Sequence, residues 1–144
     1  MFKTALVTGG AGFIGSTLVN RLISMGVAVT IVDNLSTGKK ENINPKAKFI
    51  LEDICNINSN TLKNIDMVFH TAALARVQPS IIDPVNFDRI NVGGTVNLLK
   101  ACVDAKVKRV IYSASSSCYG NTTILPTPET APTNPLSPYG LQKY

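Results

Sequence analysis

Tyr139 and Lys143 stand four residues apart, directly after Ser137-Pro138. Serine followed by proline suits the N-cap and first position of a helix. The pair therefore falls on one face of a helix opened by Pro138. A free phenol, with a pKa of about 10, is a poor base at neutral pH. A neighbouring ammonium favours the phenolate, so Y-x-x-x-K is a candidate acid–base unit. At the other end of the chain, Thr8-Gly9-Gly10-Ala11-Gly12-Phe13-Ile14-Gly15 joins an apolar run to an amphipathic stretch, with Gly9, Gly12 and Gly15 three apart. Glycines at this spacing permit a tight turn, a close approach of pyrophosphate to the backbone, and close helix–strand packing. The phosphates then meet the unbonded N–H groups and positive end of the helix. Asp33 closes the next apolar run. A carboxylate there accepts hydrogen bonds from the adenosine ribose hydroxyls and repels a 2′-phosphate, which favours NAD over NADP. Lys39 and Lys40 are the opposing signal, because a nearby cation accommodates a 2′-phosphate.

These residues need a scaffold, and the chain alternates short apolar runs with longer amphipathic stretches, the pattern of a parallel sheet with crossover helices. Strands are expected over residues 3–8, 27–32, 47–51, 66–70 and 108–113. A helix is expected over 13–25, with Ile14, Leu18, Leu22 and Met25 on one face and Gly26 stopping it. Residues 34–45 read as a polar loop, with one short helical turn near 59–63. Asp83-Pro84 can cap and open a helix that runs to about Asp104. Residues 119–138 hold five of the eight prolines and read as a loop. There is no internal repeat and no low-complexity segment. The fold class is α/β: a doubly wound parallel sheet in the order 3-2-1-4-5, with right-handed crossovers.

The 144 residues are enough for one domain with a real core. With 44% hydrophobic and 16% charged residues, the composition is that of a globular protein. The net charge of +5 is partly local, at Lys39, Lys40, Lys46 and Lys48 and again at Lys106, Lys108 and Arg109. No nucleic-acid-binding motif accompanies it, so a solvated surface with some attraction for phosphates is expected rather than a nucleic-acid partner. Cys55, Cys102 and Cys118 form no C-x-x-C pair, which argues against a disulfide framework or a zinc site and for a reducing compartment. No metal site is expected. The first apolar run is too short for a signal peptide and none approaches a membrane span, so the expected location is cytoplasmic, without a membrane partner.

The glycine loop is one of several motifs that occur together. Asp33-Asn34-Leu35-Ser36-Thr37-Gly38, Asp53-Ile54, His70-Thr71-Ala72-Ala73, Asn91-Val92-Gly93-Gly94-Thr95, Ser115-Ser116-Ser117-Cys118-Tyr119-Gly120 and Ser137-Pro138-Tyr139-Gly140-Leu141-Gln142-Lys143 follow it in order. With these motifs the chain resembles the extended short-chain dehydrogenase/reductase family, in its NAD-dependent nucleotide-sugar epimerase/dehydratase branch. The resemblance runs from Thr8 to Lys143. It implies a Rossmann-type domain over residues 1–144, truncated before the last strands and the substrate domain. It also implies NAD as cofactor, a UDP-sugar as substrate, and a homodimer when full length.

Carried over residue by residue, the resemblance gives cofactor contacts to Gly9, Gly12, Phe13, Ile14, Gly15, Asp33, Asn34, Ser36, Thr37 and Gly38. It places Asp53 and Ile54 against the adenine, Ala72 and Ala73 along the cofactor channel, and Asn91 near the cofactor on the next helix. Ser115, Tyr139 and Lys143 become the catalytic residues. Tyr139 takes the proton from a sugar hydroxyl while hydride passes to the nicotinamide. Lys143 also holds the nicotinamide ribose, and Ser115 positions the reacting hydroxyl. Dehydratases and decarboxylases of the branch carry Thr, then Asp or Ser, then Glu before the Tyr-Gly pair. Here Ser115-Ser116-Ser117 supplies no such carboxylate, so epimerization through a transient keto sugar of the UDP-hexose 4-epimerase kind is expected. Arg76 and Ser80 are placed either toward the substrate diphosphate or in a solvated loop. His70 reads as a strand-end histidine with a structural hydrogen bond, and Cys118 as a small buried residue. Gly93-Gly94 within a helix costs about 1 kcal/mol per glycine relative to alanine, which points to a close approach by a neighbouring element.

Two alternatives stand beside the epimerase. Another NAD-linked enzyme on the same scaffold, a dehydratase or a hydroxysteroid-type dehydrogenase, is the first; net release of NADH marks such a dehydrogenase. A non-catalytic NAD-binding module is the second, and it has no need of Ser115, Tyr139 and Lys143 together. Because family members are more than twice this length, the 144 residues alone are expected to bind NAD weakly, to epimerize no sugar, and to self-associate through uncovered apolar surface.

Overall fold

The computed structural model describes residues 2–144, which fall into two compact units. The first runs to Ala73 and includes Gly94–Ser113; the second comprises Leu74–Gly93 and Ala114–Tyr144. The first unit is built on five parallel strands, β1 (Thr4–Thr8), β2 (Ala28–Asp33), β3 (Lys48–Leu51), β4 (Met67–His70) and β5 (Arg109–Tyr112). Their order is β3-β2-β1-β4-β5, the order expected from the sequence.

Strand periodicity sorts the side chains between the two faces. Ala5, Val7, Val29 and Ile31 pack on one face with Val19 and Leu22 of helix α1 (Phe13–Ser24). On the other face, His70 reaches Thr95 at the start of helix α4 (Thr95–Asp104). That helix buries Leu98, Ala101 and Cys102, and its Asn97 side chain donates to the carbonyls of Ile54 and Ile57. Helix α1 is partly rotated from its expected face: Leu22 is buried and Leu18 packs against the core, but Gly15 and Val19 fill the remaining buried positions, whereas Ile14 is 64% exposed and Met25 is also exposed. Gly15 explains the rotation, because a Cβ there would lie inside the backbone of Gly9 and Gly10. Gly26, at φ 79°, ends the helix as expected. Residues 59–63 form consecutive turns rather than a helix.

The second unit holds α2 (Val77–Ile82), α3 (Pro84–Asp88), a 3-10 turn at Ser116–Tyr119 and α5 (Pro138–Gln142). Helix α2 is not expected from the sequence. Its Pro79 sits in the first turn, where no intrahelical N–H is needed. The helix expected over 83–104 is not uniform. Asp83 caps α3 by accepting from the Asn86 N–H, and Arg89–Gly94 is a π-helical segment that leads into α4. Gly94 matches the close approach inferred for the glycine pair, since a Cβ there would lie 2.6 Å from Ile54 Cδ1; Gly93 has no comparable neighbour.

One ion pair ties the start of β1 to the approaches of β4 and β5. Asp66 accepts from Lys108 Nζ at 2.7 Å and from the backbone N–H groups of Lys3 and Thr4. The Lys108 bond, followed by the two backbone bonds, holds its carboxyl well below the usual carboxylate range. A depressed folded-state value contributes stability that is present above the unfolded value and lost as pH falls. Replacing Asp66 with Asn should therefore lower the melting temperature at pH 7, and the gap to wild type should narrow between about pH 5 and pH 2. Thermal melts showing the same gap at both ends of that range would remove the ionised Asp66 as its source.

Candidate active and cofactor site

In the first unit the glycine loop is locked by its own backbone. Gly9, at φ 68°, donates its N–H to Val32 at 2.8 Å, and the Gly12 N–H returns to the Gly9 carbonyl at 3.0 Å. A Cβ on Gly9 would lie 2.8 Å from the Ala72 backbone, so only glycine lets β1 and the segment after β4 come this close. Gly12 occupies the N-cap of α1 without a side-chain cap, and no acidic residue occupies the first turn. Phe13 and Ile14 are exposed. A helix start with bare N–H groups, beside a turn with no Cβ, fits a pyrophosphate.

Asp33 is buried at the end of β2 and is already partly used. Its Oδ2 accepts from the Ala11 N–H at 3.0 Å and its Oδ1 from the Leu35 N–H at 2.8 Å. Each carboxylate oxygen carries more than one lone pair, so further donors can be accepted. Gly38 folds back so closely that a Cβ would be 2.9 Å from both Asp33 oxygens. The Ala11 carbonyl accepts from the Lys39 N–H and from the Asn42 side chain. Asn34, Ser36 and Thr37 are exposed beside it. Asn34 Nδ2 donates to Asp53 Oδ2 at 3.2 Å, which links the ends of β2 and β3. Asp53 Oδ1 caps the following turn at the Cys55 N–H. Ile54 is buried, its side chain packed where Gly94 leaves room. Ala72 donates its N–H to Thr8 Oγ1, and both Ala72 and Ala73 are half-buried. His70 is buried, with Nδ1 2.7 Å from Thr8 Oγ1 and Nε2 2.9 Å from Thr95 Oγ1. That is a structural bridge, as the sequence suggests.

In the second unit Ser115 precedes the 3-10 turn. Its Oγ accepts from the Ser117 N–H at 3.2 Å, which leaves the hydroxyl proton to be donated elsewhere. Helix α5 begins at Ser137, whose Oγ accepts from the Gly140 N–H at 3.0 Å. The Lys143 N–H donates to the Tyr139 carbonyl at 3.1 Å, so the two residues are one turn apart. Tyr139 is half-buried, while Lys143 is only 4% exposed. Burial pushes the Lys143 ammonium down to about 8, with Cys118 nearby acting weakly the other way. Cys118 is buried, and its carbonyl accepts from the Asn134 N–H.

The fold also supplies partners that the sequence does not name. Asn91 is buried and clamps Leu74 by accepting its N–H at 2.8 Å and donating to its carbonyl at 3.0 Å. Its Nδ2 also lies 3.3 Å from Gln142 Oε1. Within this unit Asn91 therefore clamps the backbone at Leu74. Ser80 does not face outward: it is 0% exposed and accepts from the Tyr139 N–H. Arg76 is exposed, with φ 87°, at the start of α2. No local signal marks Gln142 in the sequence, because its partners Asn91 and Pro84 lie 51 and 58 positions away.

Residues 5–144 match the NAD dependent epimerase/dehydratase family. A putative UDP-glucose 4-epimerase of Methanocaldococcus jannaschii is 45% identical over 143 residues, which cover 96% of this chain and 47% of that protein. Among solved structures, the UDP-N-acetylglucosamine 4-epimerase from Methanobrevibacter ruminantium M1 superimposes with a TM-score of 0.93 at 41% identity, over 99% of this chain and 47% of the other. The UDP-glucose 4-epimerase from Brucella ovis, solved in complex with NAD, gives a TM-score of 0.94 at 39% identity, over 98% and 44% of the two chains. The chain spans about half the length of the curated relatives it matches.

Proposed function

The chain belongs to the NAD-dependent epimerase/dehydratase family, and from that premise we propose that it is the cofactor-binding and catalytic part of an NAD-dependent UDP-hexose 4-epimerase. The observation that carries this reading is in the second unit. Tyr139 on α5 and the buried Lys143 at its C-cap stand one turn apart, and the Ser115–Ser117 stretch offers a hydroxyl but no carboxylate.

In the first unit the uncapped start of α1 receives the pyrophosphate. Asp33 accepts the adenosine ribose hydroxyls, and the Asn34–Asp53 link shapes the rim beside them. In the second unit Tyr139 takes the proton from the sugar hydroxyl and later returns it. Lys143 holds positive charge beside the phenolate and donates to the nicotinamide ribose. Ser115 keeps its hydrogen for the reacting oxygen, which orients that oxygen toward Tyr139. Bound NAD supplies the hydride acceptor and gives the hydride back. Serines at 116 and 117 place no carboxylate there to remove a second proton, which favours reduction of the keto sugar on its other face.

The test is a panel of UDP-glucose, UDP-N-acetylglucosamine and UDP-glucuronic acid offered to the full-length gene product with NAD. The expected result is interconversion of 4-epimers, followed by NMR, with no net absorbance change from NADH. Stoichiometric NADH, or loss of water from the sugar, would instead identify a dehydrogenase or a dehydratase.

A further inference from the structure

Helix α5 is five residues long, and a helix that short is marginal unless something outside holds it. Its first turn carries N–H groups that the helix cannot bond itself. Pro138 brings none. Ser137 Oγ takes that of Gly140. The remaining one, on Tyr139, donates to Ser80 Oγ at 3.1 Å across 59 positions of sequence. Ser80 is fully buried, and its own proton goes to the Val77 carbonyl at 2.6 Å, which fixes the direction in which the oxygen accepts. The helix also packs closely on the turn at Ser116–Tyr119, because a Cβ on Gly140 would lie 2.8 Å from the Ser117 carbonyl oxygen.

We infer that Ser80 is a positioning residue: its buried hydroxyl anchors the Tyr139 backbone and so sets where the Tyr139 and Lys143 side chains stand. Being fully buried, it acts through α5. The inference rests on the reaction assigned to Tyr139 above. The other attachment of the helix, Gln142 to Asn91 and to the Pro84 carbonyl, lies at its far end and leaves the first turn to Ser80.

The experiment uses the full-length gene product with UDP-glucose as the probe. Replacing Ser80 with Ala leaves the Tyr139 N–H without its acceptor. Its amide should then exchange with deuterium at least about tenfold faster by NMR, and kcat should fall about tenfold to a hundredfold, the range that a displacement of about 1 Å produces. KM should stay near the wild-type value. Ser80→Thr keeps the hydroxyl and should restore both readouts. Should the Ala variant fail to fold, Ser80→Cys, of similar shape and with a weaker acceptor, carries the same test. An unchanged Tyr139 amide, a wild-type kcat, or a loss confined to KM would overturn the inference. Tyr139→Phe separates this from the functional reading. If that variant stays active, the role of Tyr139 fails; if it is inactive beside a fully active Ser80→Ala, only the role of Ser80 fails.

Discussion

Tyr139→Phe in the full-length gene product should lower kcat by about 10²- to 10⁴-fold, the contribution of one well-placed acid–base group. The substitution removes a single oxygen. It leaves the ring, and it leaves the backbone N–H that Ser80 accepts, so α5 keeps its anchor. The first unit holds the groups assigned to the adenosine and pyrophosphate, and none of them changes. NAD affinity, measured by calorimetry, should therefore stay within about threefold of wild type, less than one hydrogen bond's worth. Retained turnover would remove Tyr139 as the proton acceptor. Loss of NAD binding together with turnover would mean that the variant disturbs the fold, and that the kinetic loss says nothing about proton transfer.

Replacing Asp33 with Ala should weaken NAD binding about tenfold to a hundredfold, which corresponds to losing about 1.5–3 kcal/mol of hydrogen bonding to a charged acceptor. NADP should lose less or gain, because the carboxylate that repels its 2′-phosphate is gone and Lys39 and Lys40 remain close in sequence. The structure adds a second route to the same loss. Asp33 also accepts from the Ala11 and Leu35 N–H groups, so the Ala variant leaves two backbone donors of the loops without their acceptor. Asp33→Asn narrows the choice: it removes the charge and keeps one accepting oxygen, so one of the two loop bonds survives. An Asn variant that holds NAD nearly as well as wild type but no longer discriminates against NADP would assign the discrimination to charge. Equal affinity of the unmutated protein for both cofactors would refute the role given to Asp33.

The features legible in the sequence share one property: the physics that produces them is local. Glycines three apart between a strand pattern and a helix pattern mark a phosphate turn, because Gly9 must hold φ 68° and Gly15 can carry no Cβ. The buried strands are readable from short apolar runs. The parallel order β3-β2-β1-β4-β5 follows from crossover rules that few alternatives satisfy. The caps at Asp83 and Ser137 are likewise carried by three or four neighbouring residues. His70 is legible in kind, since a strand-end histidine on a buried face needs partners, although the sequence does not name Thr8 and Thr95 as those partners.

What the tertiary structure alone decides depends on partners that sequence distance conceals. Helix α2 lacks a capping side chain and carries a proline, so no local pattern announces it. The π-helical segment at Arg89–Gly94 is not legible in the sequence, because a single wide turn within a longer helical stretch has no residue signature of its own. The face that α1 buries is decided by how closely Gly15 meets the Gly9–Gly10 backbone, not by the helix's own periodicity. Ser80, Asn91 and Gln142 are ordinary polar residues in sequence. A buried polar group must be hydrogen-bonded somewhere. Which group answers it, 51 to 59 residues away, is settled only when the chain has folded and brought the two together.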